Sequence, residues 1–176
     1  MRSSTVFAAA LCLSAAGCID ASRTPTAPAR TEPAAHFAQA PATHLLVCPT
    51  ADSARTSGLL TVLGGTLSLG GDALHLPLSA VLFPTLFEVV VPPSPYMEVD
   101  VHAVGLTSFL FQQPATITID YSRCSPDAIP ADVQLHAVYI DGNTKQILQD
   151  MGGSDDRAAQ RITFTTGHLS GYAVAY

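Results

Sequence analysis

The sequence has no tryptophan, a single lysine and few charged side chains, and these shortages exclude some classes of function. Of the 176 residues, 12% are charged, and eight basic residues stand against fourteen acidic ones for a net charge of -6. A protein that binds nucleic acid needs a basic face whose contacts release counterions from the phosphates. Lys145 and the scattered arginines supply no such face, so we expect no nucleic-acid partner.

After the first residues the chain also lacks an apolar run long enough to cross a bilayer. Its hydrophobic content of 48% is nevertheless too high for a wholly disordered protein. The length leaves room for about one domain and a leader. We therefore expect one domain that folds outside the membrane.

Residues 1–17 are typical of a bacterial lipoprotein signal peptide, with Arg2 before the apolar stretch Val6–Leu13. The segment Ser14–Cys18 resembles a lipobox, which predicts that Cys18 becomes the acylated N-terminus and holds the protein at a membrane lipid surface. Ile19, in place of Asp, indicates the outer membrane. Because Ala15 stands where a lipobox usually has Leu, ordinary secretory cleavage after Ala16 is the alternative.

Residues 18–43 read as a disordered tether, because alanine, proline and small polar residues show no apolar periodicity. Of the four cysteines, Cys12 leaves with the leader and Cys18 carries lipid. Cys48 and Cys124 remain, in an envelope compartment that permits disulfides, so we expect a bridge between them. Two buried free thiols are the alternative.

From residue 44 to residue 176 the periodicity is two, which is typical of half-buried strands. Apolar and polar residues alternate over 97–103, 116–121 and 161–165, and the segment 133–148 reads as a hairpin around Asp141-Gly142-Asn143. Glycine and proline pairs separate the other runs. The prediction is all-β, an antiparallel sandwich with one core between two sheets.

The order of segments resembles the ZU-five domain, a β-sandwich of ankyrins, netrin receptors, zonula-occludens proteins and bacterial surface proteins. The resemblance covers roughly 58–176 and lies in four segments: Gly64–Leu69, Leu74–Val81, Phe111–Ile119 and His168–Val174. Leu78-Ser79 replaces the usual Pro-Gly, and Leu169 replaces Phe. The resemblance implies a protein-interaction or spacing module rather than an enzyme.

Some ZU-five domains of death-domain adaptors cleave themselves before the serine of a His-Phe-Ser motif, and His168-Leu169-Ser170 is similar to it. Ser170 Oγ would attack the Leu169 carbonyl while His168 accepts the proton, and water would hydrolyse the ester. The structural alternative is a hydrogen-bonded turn that enters the last strand.

Two groups of acidic residues are candidate cation ligands. Glu98, Asp100 and His102 share one strand face at steps of about 6.6 Å. Asp150, Asp155 and Asp156 flank a glycine-rich turn and offer the oxygen ligands that calcium prefers. For each group a solvated polar surface is the default, and we expect no cofactor.

The sequence thus predicts a non-catalytic, lipid-anchored envelope protein whose sandwich binds an unknown envelope or surface protein, with open sheet edges as its contact surface. The alternatives are a self-processing module that cleaves between Leu169 and Ser170, and a hydrolase whose site is assembled from loops.

Overall fold

The computed structural model describes residues 42–50 and 52–176, which form two antiparallel β-sheets. This architecture confirms the predicted all-β sandwich. The strands are β1 (Ala54–Leu60), β2 (Gly65–Leu69), β3 (Asp72–Leu76), β4 (Thr85–Val91), β5 (Glu98–Ala103), β6 (Leu110–Asp120), β7 (His136–Ile140), β8 (Ile147–Gly152), β9 (Ser154–Asp156), β10 (Arg161–His168) and β11 (Gly171–Ala175), with a 3-10 turn at Pro126–Ala128 between β6 and β7.

The first sheet has the order β1-β4-β5-β11-β7-β8 and the second the order β2-β3-β6-β10-β9. The last strand of the chain, β11, therefore lies inside the first sheet, between β5 and β7. In the second sheet β6 pairs with both β3 and β10. Each sheet thus joins segments that are far apart in sequence.

The predicted alternation is confirmed on the strands that carry it. Ile117 and Ile119 of β6 and Ile162 and Phe164 of β10 point into the core, and all four are buried. Full burial of such a side chain contributes about 1.5 to 3 kcal/mol, so these strand faces hold the two sheets together.

Glu98 is the exception, because the alternation predicted that it would face water. It is buried, with a side chain only 4% exposed, and the ammonium of Lys145 lies 2.7 Å from its carboxylate. The prediction was wrong because a period of two distinguishes the two faces of a strand but not whether another segment covers the outer one.

The predicted hairpin is confirmed as β7 and β8, although its turn differs in detail. The turn residue with positive φ is Lys145, at 59°, rather than one of Asp141-Gly142-Asn143. Asp141 accepts hydrogen bonds from the amides of Asn143 and Thr144, an arrangement typical of aspartate in turns. This turn conformation puts Lys145 where its side chain reaches Glu98.

The predicted leader, the lipidated Cys18 and residues 18–41 of the predicted tether lie outside the described residues. Described packing begins at Ala42, just before the predicted boundary at 44, and Ala42 is buried. The amides of Thr43 and His44 donate to the carbonyl of Tyr176, and Leu45 pairs with Ala175. The domain therefore starts at the end of β11.

Cys48 and Cys124 form the predicted disulfide, with their Cα atoms 5.1 Å apart. Cys48 follows the segment that pairs with β11, and Cys124 follows β6, so the bridge connects the two sheets. Both residues are buried in the core.

We expect reduction of this bridge to lower the free energy of unfolding by about 2 to 4 kcal/mol, because it releases a long loop in the unfolded chain. Denaturant titrations with and without a reductant measure the difference. The double variant Cys48→Ala, Cys124→Ala is the matched control, since a reductant should leave its transition unchanged. Identical midpoints for the unmodified chain under both conditions would contradict a closed bridge.

Candidate functional site

The His168-Leu169-Ser170 segment links β10 to β11 at the end of the sandwich where β11 begins. The backbone of this link is tied down on both sides, because the Leu169 amide donates to the Phe109 carbonyl and the Val101 amide donates to the Ser170 carbonyl. The segment therefore serves as the entry of the last strand into the first sheet.

The imidazole of His168 lies against the aromatic rings of Tyr139 and Tyr172. Its Nδ1 is 3.3 Å from the Tyr172 hydroxyl, and its ring meets that of Tyr139 edge to face. The Tyr172 hydroxyl donates to the His168 carbonyl, and burial raises the pKa of this phenol to about 12. This arrangement holds the histidine in place and matches the structural alternative named above.

Ser170 lines a polar cavity of about 280 Å³ at this end of the sandwich. The cavity walls also include Asp100, His102 and Ser108, so the structure brings Ser170 into the same recess as two of the three proposed metal ligands. Sequence patterns do not connect Ser170 with Asp100 and His102, because Ser170 lies in the link before β11 whereas the other two lie on β5.

The trio Glu98, Asp100 and His102 does not converge on one point. Glu98 pairs with Lys145, whereas His102 Nε2 lies 2.9 Å from a carboxylate oxygen of Glu88 on the neighbouring strand. Asp100 is near His102, at 3.9 Å from Nδ1. The chemistry of this face is therefore that of separate ion pairs.

Asp150, Asp155 and Asp156 are also kept apart by partners of their own. Asp150 accepts from the Ala42 amide and lies 2.8 Å from His136 Nδ1. Asp155 pairs with Arg157 at 2.6 Å, and Asp156 accepts from the amides of the following turn. Within residues 42–50 and 52–176, no group of three or more histidine, cysteine or acidic side chains is placed to hold a metal ion.

A partly buried polar cluster, which the sequence reasoning missed, lies at the opposite end of the sandwich. Asp72, Glu98, Asp120 and Arg123 line a cavity of about 260 Å³ there. The Asp120 amide donates to Asp72 Oδ1 at 2.9 Å, and Arg161 Nε lies 3.2 Å from Asp120 Oδ2. Asp72 and Asp120 are 48 positions apart in sequence, so only the β3–β6 pairing reveals the cluster.

The pKa values of Asp72 and Asp120 are shifted in opposite directions. Burial raises the pKa of Asp72 to about 6, against the hydrogen bond from Asp120 that favours its charged form. Burial also disfavours the charge on Asp120, but hydrogen bonds from Ser122 and Arg161 outweigh it and hold the pKa of Asp120 below its usual value. Arg123 donates to the carbonyls of Ser94 and Tyr96, and burial lowers the pKa of its guanidinium.

A surface without charged side chains lies beside the Ser170 cavity, at the end of the sandwich opposite Asp72 and Asp120. We call it the apolar tip and define it as residues 61–64, 77–84 and 104–110. Its exposed side chains are Val62, Leu63, Leu78, Leu82, Phe83, Val104, Leu106 and Leu110, with Leu59 and Leu86 of the β1–β4 pair beside them. All ten of these side chains are large, apolar and exposed to water.

Comparison with known proteins gives this chain no family, because no protein-family model matches it and no curated protein matches it significantly. The ZU-five resemblance thus stays a prediction. In the part of the chain that the structure describes, no helix has the length and apolar character needed to span a membrane.

We expect Asp72→Asn to stabilise the protein at pH 7 by about 1 to 3 kcal/mol, because an ionised carboxylate is buried there. The folded chain binds this proton more tightly than the unfolded chain. The contribution of Asp72 to stability is therefore fully present below pH 3.8 and is lost as the pH rises to about 6. Urea titrations at pH 4.5 and 7.5 measure the effect.

Asp132→Asn is the control for this experiment, because Asp132 is exposed. The control should follow the pH dependence of the unmodified chain, whereas Asp72→Asn should lose part of it. A destabilised Asp72→Asn at pH 7.5 would show that the charged carboxylate is needed in the cluster.

Proposed function

We propose that this chain is a non-catalytic binding module of the bacterial cell envelope, anchored through an acylated Cys18, whose sandwich binds a partner protein along the free edge of β1. The observation that carries the proposal is that β1 is a regular strand at the end of its sheet. All seven residues of β1 pair with β4 in unbroken register, from Ala54 opposite Val91 to Leu60 opposite Thr85. On its other side β1 ends the first sheet.

The other three sheet edges are less suited to receive a strand. β8 is interrupted by two register irregularities against β7, and β9 has only three residues. β2 has five residues and lies between two glycine turns. Natural sheets block their edges with bulges, short strands and charges, and β1 has neither a bulge nor a short length.

The side chains of β1 indicate the kind of segment that would pair with it. Arg55, Ser57 and Leu59 are exposed on one face, and Arg55 is the only charged residue of the strand. Arg55 lies 3.9 Å from Glu88, but its side chain is 76% exposed. Its guanidinium can therefore still pair with an acidic residue of a partner. We infer a partner strand with an acidic residue opposite Arg55 and an apolar residue opposite Leu59, about 13 Å further along.

The envelope location is supported by the sequence. The short apolar stretch ends directly at Gly17-Cys18, and the Cys48–Cys124 pair suits an oxidising compartment. Ile19 favours the outer membrane. The ZU-five resemblance, which implies an interaction or spacing module, points to the same function.

We expect the intact mass of the protein purified from a bacterial envelope to match an acylated chain that starts at Cys18. Cys18→Ser should abolish the added acyl mass, whereas Cys12→Ser should leave it unchanged because Cys12 is removed with the leader. An unacylated start after Ala16 would contradict the anchor. A separate peptide that begins at Ser170 would contradict the non-catalytic assignment.

We expect a photo-crosslinking amino acid at Ser57, on β1, to form an adduct with one envelope protein in the producing bacterium. The matched position is Gln149, which is exposed on the opposite edge strand β8. Arg55→Glu and Leu59→Asp should each weaken the adduct, because they remove the inferred charge match and apolar contact.

Adducts of equal yield at Ser57 and Gln149 would contradict binding along β1. So would an adduct at Ser57 that neither substitution weakens. The variants change exposed side chains, so an unaltered urea transition shows that the fold is retained.

A further inference from the structure

The apolar tip differs from the rest of the surface in that its three loops contain no ionisable side chain at all. The chain as a whole carries 22 charged residues and six histidines. Leu63, Phe83 and Leu110 are the most exposed of its side chains, with exposed fractions of 77%, 75% and 73%. Charges cost free energy in hydrocarbon, and these loops have none.

Several backbone groups of the tip are hydrogen-bonded within the protein. The Ser79 amide donates to the Val62 carbonyl at 2.7 Å, and the Gln112 amide donates to the Ala80 carbonyl at 2.9 Å. Three further carbonyls, those of Thr61, Pro77 and Phe83, also accept internal hydrogen bonds. Each of these internal hydrogen bonds lowers the cost of moving that part of the loops from water into an apolar medium.

The composition of the tip favours lipid over protein as the occupant. Protein interfaces are enriched in tyrosine, tryptophan, phenylalanine, methionine and arginine, and their energetic centres rarely consist of leucine, valine, serine and threonine. The tip has no tyrosine, tryptophan, methionine or arginine. It consists of leucine, valine, serine, threonine, glycine, proline and alanine, with Phe83 and Phe109 as its aromatic residues.

From these observations we infer that the apolar tip inserts into the outer acyl region of an electrically neutral lipid bilayer. The hydrophobic contact supplies the affinity, since no basic residue is present to attract anionic headgroups. The net charge of -6 opposes binding to an anionic surface. This inference goes beyond the proposed function, because it concerns a different surface and a different partner.

The neighbouring loops define how the tip would meet the bilayer. The turn between β7 and β8 lies at the same end of the sandwich and carries Asp141 and Lys145. Two strands, β5 and β11, lie between β7 and β4, so β7 is about 15 Å from β4 across the sheet. The sandwich must therefore tilt so that the β1–β4 side approaches the lipid while this charged turn stays in water.

The chain that precedes the domain is long enough to allow this contact beside its own anchor. Ala42 lies at the end of the sandwich opposite the tip, as its neighbours Thr43 and His44 bond to Tyr176. The 23 residues between Cys18 and Ala42 have a contour length of up to about 80 Å. The longest strand, with 11 residues, spans only about 37 Å.

The absence of tryptophan allows a direct test. Phe83→Trp, in a full chain that carries Cys18→Ser so that no acyl group is attached, places the only tryptophan at the tip. With phosphatidylcholine vesicles we expect a blue shift of its emission and quenching by brominated acyl chains. Raising the salt concentration should leave both unchanged, and adding anionic lipid should not strengthen them.

Two kinds of control isolate the tip from the leader. Leu148→Trp, at an exposed position on β8, should show neither the shift nor the quenching in the same background. Adding Leu63→Asp and Leu110→Asp to the Phe83→Trp chain should weaken the partition coefficient by at least about tenfold. An unchanged urea transition for each variant shows that it is folded.

Several results would overturn the inference. They are emission unchanged by any vesicle, binding that requires anionic lipid, and quenching that survives both aspartate substitutions. A blue shift that grows with protein concentration in the absence of lipid would instead show that a second copy of the chain covers the tip.

Discussion

The rest of the structure depends on the insertion of β11 between β5 and β7. This strand closes the first sheet, places Tyr172 and Val174 in the core and pairs with the residues at which the domain begins. Because β11 pairs with both β5 and β7, the first sheet is continuous only when this strand is in place. Its entry segment, His168-Leu169-Ser170, is held by backbone hydrogen bonds.

Buried charges accompany this packing at two places. Glu98, on β5 beside β11, is paired with Lys145, and one of its carboxylate oxygens has no hydrogen-bond partner among the described residues. Asp72 is held by the Asp120 amide at a site where burial disfavours its charge. Such groups stabilise a fold weakly, because the cost of removing charges from water offsets much of their attraction. The Lys145–Glu98 pair connects the β7–β8 turn to β5.

The two ends of the sandwich differ in polarity. The end where the chain enters carries the disulfide and the polar cluster around Asp72 and Asp120. The opposite end carries the uncharged loops of the apolar tip, next to a polar recess lined by Ser170. Between them the first sheet ends at β1, all seven residues of which pair with β4.

Local sequence patterns were enough to predict the strand character of the chain and its two-faced pattern, and they favoured the pairing of Cys48 with Cys124 over two free thiols. These follow from local periodicity and from the small number of cysteines, which need no knowledge of neighbours. The sequence did not determine the burial of Glu98, the pairing of Asp72 with Asp120, or the gathering of three loops into one apolar tip. Those features depend on which strands become neighbours, and β-sheet pairing joins residues that are distant in sequence. These three features are seen only in the tertiary structure, because the register between strands sets which side chains meet and which remain in contact with water.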